Sequence, residues 1–343
     1  MKDNIKEIAK ILIVLLFFVA AYFVYEKLSE PQIPQLDSDV VSFSKNISFG
    51  ITVDAVSAQM GSGENITIDS DSAKKEIDVA SDLGTDLVRF NIERRTLESA
   101  DELEKLDEIV TYAQGKKMKI YLAYLGRNAW LGSGEGAGKA SWEDFKKGYQ
   151  ADAVFLMTKY KPDYFLILPE CPYDIGRQVN SKRAMEEWFD FAKEVGLSIK
   201  RVSFPTKIAL EETMLSSGAR SADMAFAEKV LSENDIAINI FSINVGSAAE
   251  LAGGVENLLN LKKKYHWEGE IWMGNVKTSS EGDEQKQKDF LLYAIHLTDR
   301  QGFSGIVLGQ LRDGAGGKNG IVTESYGLKN SYTAIKEVMA DRR

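Results

Sequence analysis

Extended segments separated by helical patterns recur along most of this chain. Apolar residues in the intervening segments lie three and four positions apart, which is the period of an amphipathic helix. Such strand–helix alternation predicts a parallel sheet, and eight units predict its closure into a (β/α)8 (TIM) barrel. No Gly-x-Gly-x-x-Gly sequence opens the first helix, which weakens an open doubly wound sheet as the alternative. The strands are predicted at residues 47–54, 86–93, 118–125, 163–169, 197–204, 236–243, 269–274 and 303–310.

A hydrophobic segment precedes the barrel. Residues 8–25 lie at the short end of the roughly 17–25 residues that a membrane-spanning helix needs, and the lysines before them predict a cytoplasmic N-terminus. A cleaved signal peptide is the alternative, since 19–21 (Val-Ala-Ala) would suit a signal peptidase, but the apolar run continues to Tyr25. We therefore predict a cytoplasmic tip at 1–7, a transmembrane anchor at 8–25, a tether at 26–45 and an extracytoplasmic barrel at 46–343.

The composition excludes several classes of function. A net charge of -9 with no basic stripe disfavours nucleic acid as a partner. The single cysteine, Cys171, excludes an intramolecular disulfide and a thiolate metal cluster. His266 and His296 do not fall at predicted carboxyl ends of strands, where a metal-dependent barrel hydrolase needs histidines. We therefore expect no metal and no cofactor.

Strand parity predicts a polar site at one end of the barrel. In the second predicted strand, Arg89, Asn91 and Glu93 share one face, and the alternate residues are apolar. The apolar face must meet the helices, so the polar face points into the lumen. Asp54 ends the first predicted strand in the same way, and Asp313 follows the eighth. Polar groups at the carboxyl ends of barrel strands are typical of an active site.

Glu170 follows the fourth predicted strand, directly after Pro169. A partly desolvated glutamate there would have a raised pKa and could donate a proton to a leaving oxygen. The alternative interpretation is a solvated loop acid or a helix N-cap.

Six further segments of the chain form a recognisable set: 84–89, 159–170, 269–273, 285–287, 302–303 and 326–328. Together they resemble the clan A glycoside hydrolases, the retaining (β/α)8 barrels that include cellulases, galactanases and mannanases. The resemblance extends over nearly the whole barrel. It implies that Glu170 is the acid/base residue and Arg89 the active-site arginine on strand two.

Two positions depart from that family. Pro169 stands where the family usually has Asn, and Asn275 stands at the strand-seven position of the nucleophile glutamate. An amide is a poor nucleophile and carries no charge to stabilise an oxocarbenium ion. The retaining mechanism needs two carboxyl groups about 5–5.5 Å apart, and this sequence supplies one at the family positions.

Three explanations of the missing carboxylate remain open. Glu93, Asp54 or Asp313 could act as the second carboxylate, and a separation of about 6.5–9.5 Å from the acid would suit inversion. Alternatively, Asn275 orients a substrate amide or a water in a substrate-assisted reaction. In the third explanation catalysis is lost, and the barrel binds a glycan or a protein partner. The two leading hypotheses are therefore an extracytoplasmic glycoside hydrolase-like protein and a catalytically silent glycan-binding or assembly module.

The remaining predictions concern Arg89 and the aromatic residues. A buried guanidinium needs an anion, and Glu93 and Glu170 are the candidates; a purely structural ion pair is the alternative. Trp130 and Tyr173 are placed to stack on sugar rings. Trp272 has opposite parity to Asn275 and is predicted to be core, facing the helices.

Overall fold

The computed structural model describes residues 15–19, 33–56, 68–125, 141–169, 184–203, 205–213, 221–233, 237–314 and 317–342. The chain divides into two compact units, Met1–Ile33 and Pro34–Arg343. In the first unit, residues 15–19 are helical. Among the described residues, no helix has both the length and the apolar character that membrane crossing requires. Most of the predicted anchor lies outside the described residues, so the anchor stays a prediction.

The second unit is a closed barrel of eight parallel strands that follow one another in chain order. This confirms the predicted fold of the barrel. The strands are Ser48–Thr52 (β1), Leu87–Ile92 (β2), Lys119–Tyr124 (β3), Tyr164–Leu166 (β4), Lys207–Glu212 (β5), Ile240–Val245 (β6), Glu270–Val276 (β7) and Gly305–Leu308 (β8).

Helices surround the barrel, and four of them begin at a residue whose side chain caps the helix. The side chains of Asp69, Ser99, Ser141 and Asp283 each accept a hydrogen bond from a backbone N–H in the first turn of the following helix. A π-helical turn, Glu250–Gly254, leads into α7. The helices are Ser70–Leu83 (α1), Arg94–Glu98 (α2), Ala100–Gly115 (α3), Trp142–Tyr160 (α4), Met185–Val202 (α5), Ser221–Glu233 (α6), Val255–Tyr265 (α7), Glu284–Arg300 (α8) and Asn330–Ala340 (α9).

The fifth strand was predicted in the wrong place. Residues 197–202 are the end of α5, and the strand lies at Lys207–Glu212. Residues 197–204 carry four apolar side chains. Near this end, however, the helix buries Val195 and Ile199, which are four residues apart. Leu197 and Val202 are exposed, so at these two positions an apolar residue does not indicate a buried one.

The lower part of the lumen is a packed apolar core. Trp272 lies 4.9 Å from Tyr164 and 6.1 Å from Tyr121, measured between ring centroids. Because β3 and β7 are not neighbours in the sheet, Tyr121 and Trp272 can meet only inside the barrel. Trp272 is therefore core, as predicted, but the prediction that it faces the helices was wrong.

A bulge in β7 explains this error. Ile243 pairs with Met273, but the next residue of β6, Asn244, pairs with Asn275, so Gly274 is an extra residue. An extra residue reverses the alternation of faces beyond it. Trp272 and Asn275 thus share the inner face, although their spacing of three residues assigns them to opposite faces of a regular strand.

Candidate active site

A buried ion pair closes the lumen above the aromatic core. Arg89, on β2, donates from Nη1 to Glu211 Oε2 at 2.7 Å and from Nη2 to Glu211 Oε1 at 3.0 Å. The two side chains are 4% and 2% exposed. Two parallel hydrogen bonds hold the guanidinium and the carboxylate in one plane. The charge of Arg89 is therefore neutralised from β5.

Arg89 also organises its neighbours on other strands. Its Nη1 donates to the carbonyl of Gly274 at 2.7 Å, and its Nε donates to Asn91 Oδ1 at 2.9 Å. The guanidinium carbon lies 5.5 Å from the centroid of the Tyr121 ring. Burial, and secondly the charge of Glu211, raise the pKa of the Tyr121 hydroxyl, which therefore stays neutral. The layer links β2, β3, β5 and β7.

Glu211 reaches across the lumen towards β7. A Cβ atom at Gly274 would lie 2.2 Å from Glu211 Oε2 and 2.7 Å from Ser242 Oγ. Only glycine at this position leaves room for the carboxylate. A side chain from β5 thus occupies space that a side chain from β7 would otherwise fill.

Amide side chains surround the mouth, at the carboxyl ends of the strands. Asn91 is half-buried one step above Arg89 on β2. Asn244 and Asn275 pair across β6 and β7, and Asn275 is also half-buried. A Cβ atom at Gly309 would lie 2.0 Å from Asn275 Oδ1, so the amide oxygen rests against β8. These positions agree with the predicted lumen face.

Asp54 holds loops together. Its Oδ2 accepts the backbone N–H groups of Leu311 and Arg312 at 2.9 and 3.0 Å. Behind it, Glu76 accepts the N–H of Asp54 at 2.6 Å and Arg312 Nε at 2.9 Å. Burial, followed by the charge of Glu76, raises the pKa of Asp54 well above its ordinary value. Burial likewise raises the pKa of Glu76. Asp54 thereby joins the end of β1 to the segment after β8.

Asp313 has a similar structural environment. Its Oδ1 accepts Lys329 Nζ at 2.7 Å and the N–H of Gly320 at 3.0 Å. Lys329 is buried and also donates to Ser280 Oγ and to the carbonyl of Gly320. The Asp313 carboxylate therefore fastens the segment between β8 and α9.

Glu93 is buried at the carboxyl end of β2, directly before α2. Its side chain does not cap that helix. Its location at the mouth agrees with the strand parity, and its predicted role as a second carboxylate stays a prediction.

The end of β4 turns sharply before Glu170. Leu168 has a φ of 46°, a left-handed conformation that is strained for a branched residue. Its N–H donates to the Tyr149 hydroxyl at 2.7 Å, and that hydroxyl donates to the carbonyl of Tyr124 at 3.0 Å. Helix α4 thus fixes the ends of β3 and β4. The predicted site residues Glu170, Trp130 and Tyr173 lie outside the described residues.

The same fold occurs in solved structures of glycoside hydrolases. A family 5, subfamily 18 enzyme from Bifidobacterium longum, in complex with Manβ1-4GlcNAc, has a TM-score of 0.66 at 12% identity, over 86% of this chain and 78% of that one. The corresponding Streptomyces cattleya enzyme, with the same ligand, has a TM-score of 0.64 at 14% identity, over 86% and 80%. An endo-1,4-β-D-mannanase from Thermotoga petrophila has a TM-score of 0.61 at 12% identity, over 87% and 99%. This chain shares the (β/α)8 barrel fold of these enzymes.

No protein-family model matches the sequence, and no curated protein matches it at a significant level. At 12–14% identity, the likeness establishes the (β/α)8 barrel fold, and the chemistry must be argued from the site itself.

Glu211 is the site residue of this barrel that the sequence analysis did not identify. The sequence analysis proposes Glu93 and Glu170 as anions for Arg89. The structure supplies a third carboxylate, that of Glu211. It was missed because the fifth strand is predicted at 197–204, which leaves residues 207–212 outside the predicted sheet. The available signal was the apolar run Ile208, Ala209 and Leu210 that ends at Glu211, which is typical of a strand buried on both faces.

Proposed function

We propose that the barrel binds a poly- or oligosaccharide at its mouth, on the outer side of a membrane to which residues 8–25 anchor it. The observation that carries this proposal is the pair of half-buried amides, Asn91 and Asn275, above a neutralised ion pair. Amides both donate and accept hydrogen bonds, as sugar hydroxyls require. The two structural neighbours in complex with Manβ1-4GlcNAc support a carbohydrate as the ligand.

Binding without the retaining reaction is the form of this function that the geometry supports best. Asn275 stands at the strand-seven position, and Asp54 and Asp313 are engaged in holding loops. Two of the three candidate replacements for the nucleophile are thus committed to structure. In this form, the protein is a catalytically silent glycan-binding or cell-surface assembly module.

Hydrolysis with Glu170 as the general acid/base is the second candidate function. The strained turn at Leu168 favours it, because backbone strain at a strand end clusters at functional sites. Glu93 would then be the second carboxylate, or Asn275 would orient a substrate amide or a water.

The two forms can be separated with the full-length protein in detergent. Isothermal titration with β-1,4-manno-oligosaccharides and chitin oligosaccharides measures binding, and the release of reducing ends measures turnover. We expect binding without turnover, and we expect Trp130→Ala to weaken binding by up to about tenfold through lost stacking. Turnover that Glu170→Gln abolishes while binding persists would establish hydrolysis instead. If the wild type binds none of these sugars, the proposal of a glycan ligand fails for these classes.

A further inference from the structure

The hydrogen bond between Arg89 and Asn91 fixes the orientation of an amide at the mouth. A guanidinium has only donors, so the atom of Asn91 that meets Arg89 Nε at 2.9 Å must be the oxygen. The nitrogen, Nδ2, is therefore at the other end of the amide.

Glu211 determines where that guanidinium lies. Its two oxygens bind Nη1 and Nη2 of Arg89, which leaves Nε to bind Asn91. The carbonyl of Gly274 accepts from Nη1 as a third fixed point. A guanidinium held in one plane on β5 and β7 cannot rotate away from Asn91. The order Glu211, Arg89, Asn91 is thus a chain of hydrogen bonds that runs from the closed floor to the mouth.

The nitrogen of Asn91 makes no hydrogen bond to any residue that the structure describes. The side chain is half-buried, whereas Arg89 and Glu211 below it are almost wholly buried. Asn91 therefore presents two N–H donors at the level where the lumen opens.

We propose that Asn91 donates from Nδ2 to an acceptor oxygen of the bound sugar, and that Glu211 and Arg89 are positioning residues that set this polarity. This inference rests on the proposed function, because the ligand is the glycan that the mouth takes. It assigns a strand-five carboxylate to the site and predicts a hydroxyl, ring or carbonyl oxygen of the sugar opposite Asn91.

The variant Asn91→Asp distinguishes two roles of Asn91: a donor of hydrogen bonds to the ligand, or only an acceptor for Arg89. The aspartate has the same shape and still accepts from Arg89 Nε, so the fold is kept. Towards the ligand it offers only acceptors, which leaves the sugar oxygen without a donor. We expect an affinity loss of about tenfold or more for the manno- or chitin oligosaccharide that the wild type binds, with the melting temperature unchanged or raised. Asn260→Asp, exposed on α7, adds the same charge and should bind like the wild type.

The positioning role of Glu211 is tested with Glu211→Gln and with the double variant Glu211→Gln/Asn91→Asp. If Glu211 acts through Asn91, the double variant binds no more weakly than Asn91→Asp alone. A merely structural role would instead reduce affinity by the same factor in both backgrounds. Glu211→Asp, which keeps the charge, replaces Glu211→Gln if the latter does not fold.

Wild-type affinity in Asn91→Asp would overturn the inference and leave the proposed function intact. A wild type that binds neither class of oligosaccharide would remove both. Equal losses from Glu211→Gln in the two backgrounds would remove the positioning role alone.

Discussion

At the scale of single residues, the buried Arg89–Glu211 pair governs the site. Removing one partner of a buried pair leaves an uncompensated charge, which is more harmful than removing both. We expect Glu211→Gln to lower the free energy of unfolding by about 3–5 kcal/mol. The double variant Arg89→Met/Glu211→Leu should lose less than the single one, because no charge then remains buried. Urea unfolding followed by tryptophan fluorescence measures both.

The control for this cycle is a pair at the surface. Lys229 and Glu233 form an exposed ion pair one helical turn apart, 2.6 Å from Nζ to Oε1. Glu233→Gln should change the free energy of unfolding by less than about 1 kcal/mol. A loss that small for Glu211→Gln would contradict the account of the buried pair.

A second prediction at this scale concerns how the buried carboxyl groups of Asp54 and Glu76 make stability depend on pH. Burial raises the pKa of both carboxyl groups above the ordinary values of 3.8 and 4.5. The folded state therefore binds protons that the unfolded state does not, and stability from this pair increases as the pH falls through the raised pKa values. Asp54→Asn keeps an acceptor for the two backbone N–H groups but removes the titration.

We therefore expect Asp54→Asn to be more stable than the wild type near pH 8, with the difference shrinking towards pH 5. Differential scanning calorimetry across this range gives the comparison. Asp341→Asn, which alters an exposed carboxyl group, should parallel the wild type throughout. A stability difference for Asp54→Asn that grows towards pH 5 would reverse the assigned direction of the shift.

At the scale of elements, the bulge in β7 makes the site compatible with Glu211. A Cβ at position 274 would lie 2.2 Å from the carboxylate, so Gly274→Ala must displace Glu211 or the strand. We expect a loss of about 1–3 kcal/mol in the free energy of unfolding, as for other overpacked cores, together with weaker glycan binding. Gly115→Ala, with no atom within 4 Å of the new Cβ, is the matched control and should be neutral or stabilising.

The elements also show which parts of the fold and the site can be predicted from the sequence. Strand–helix alternation was enough for the barrel, and parity alone placed Arg89 and Asn91 in the lumen, because both signals are local. The prediction of the fifth strand was wrong because the end of α5 is rich in apolar residues, and only packing shows that Leu197 and Val202 are exposed. The predicted orientation of Trp272 was wrong because a bulge depends on how two strands pair, which one strand's sequence does not show. Glu211 could not be assigned to Arg89 because 122 residues separate them.

At the scale of the whole barrel, the segments before β1 and after α9 lie on one side. The backbone N–H of Ser44 donates to Asp299 at the end of α8, and Arg342 forms an ion pair with Asp86 before β2. These contacts lie at the amino ends of the strands, whereas Asn91 and Asn275 lie at the carboxyl ends. The segments that lead into β1 and out of α9 therefore contact the end of the barrel opposite to the mouth.

The proposed attachment predicts a defined topology. In a Cys171→Ser background, Ser325→Cys places a thiol at an exposed position of the barrel, and Asn4→Cys places one in the predicted cytoplasmic tip. Because Lys2 and Lys6 precede residues 8–25 and Lys10 lies near their start, the positive-inside rule keeps the tip inside. A membrane-impermeant maleimide added to intact cells should label Ser325→Cys and should label Asn4→Cys only after lysis. Labelling of Asn4→Cys in intact cells would reverse the topology, and a mature chain that lacks residues 1–20 by intact mass would show cleavage instead of anchoring.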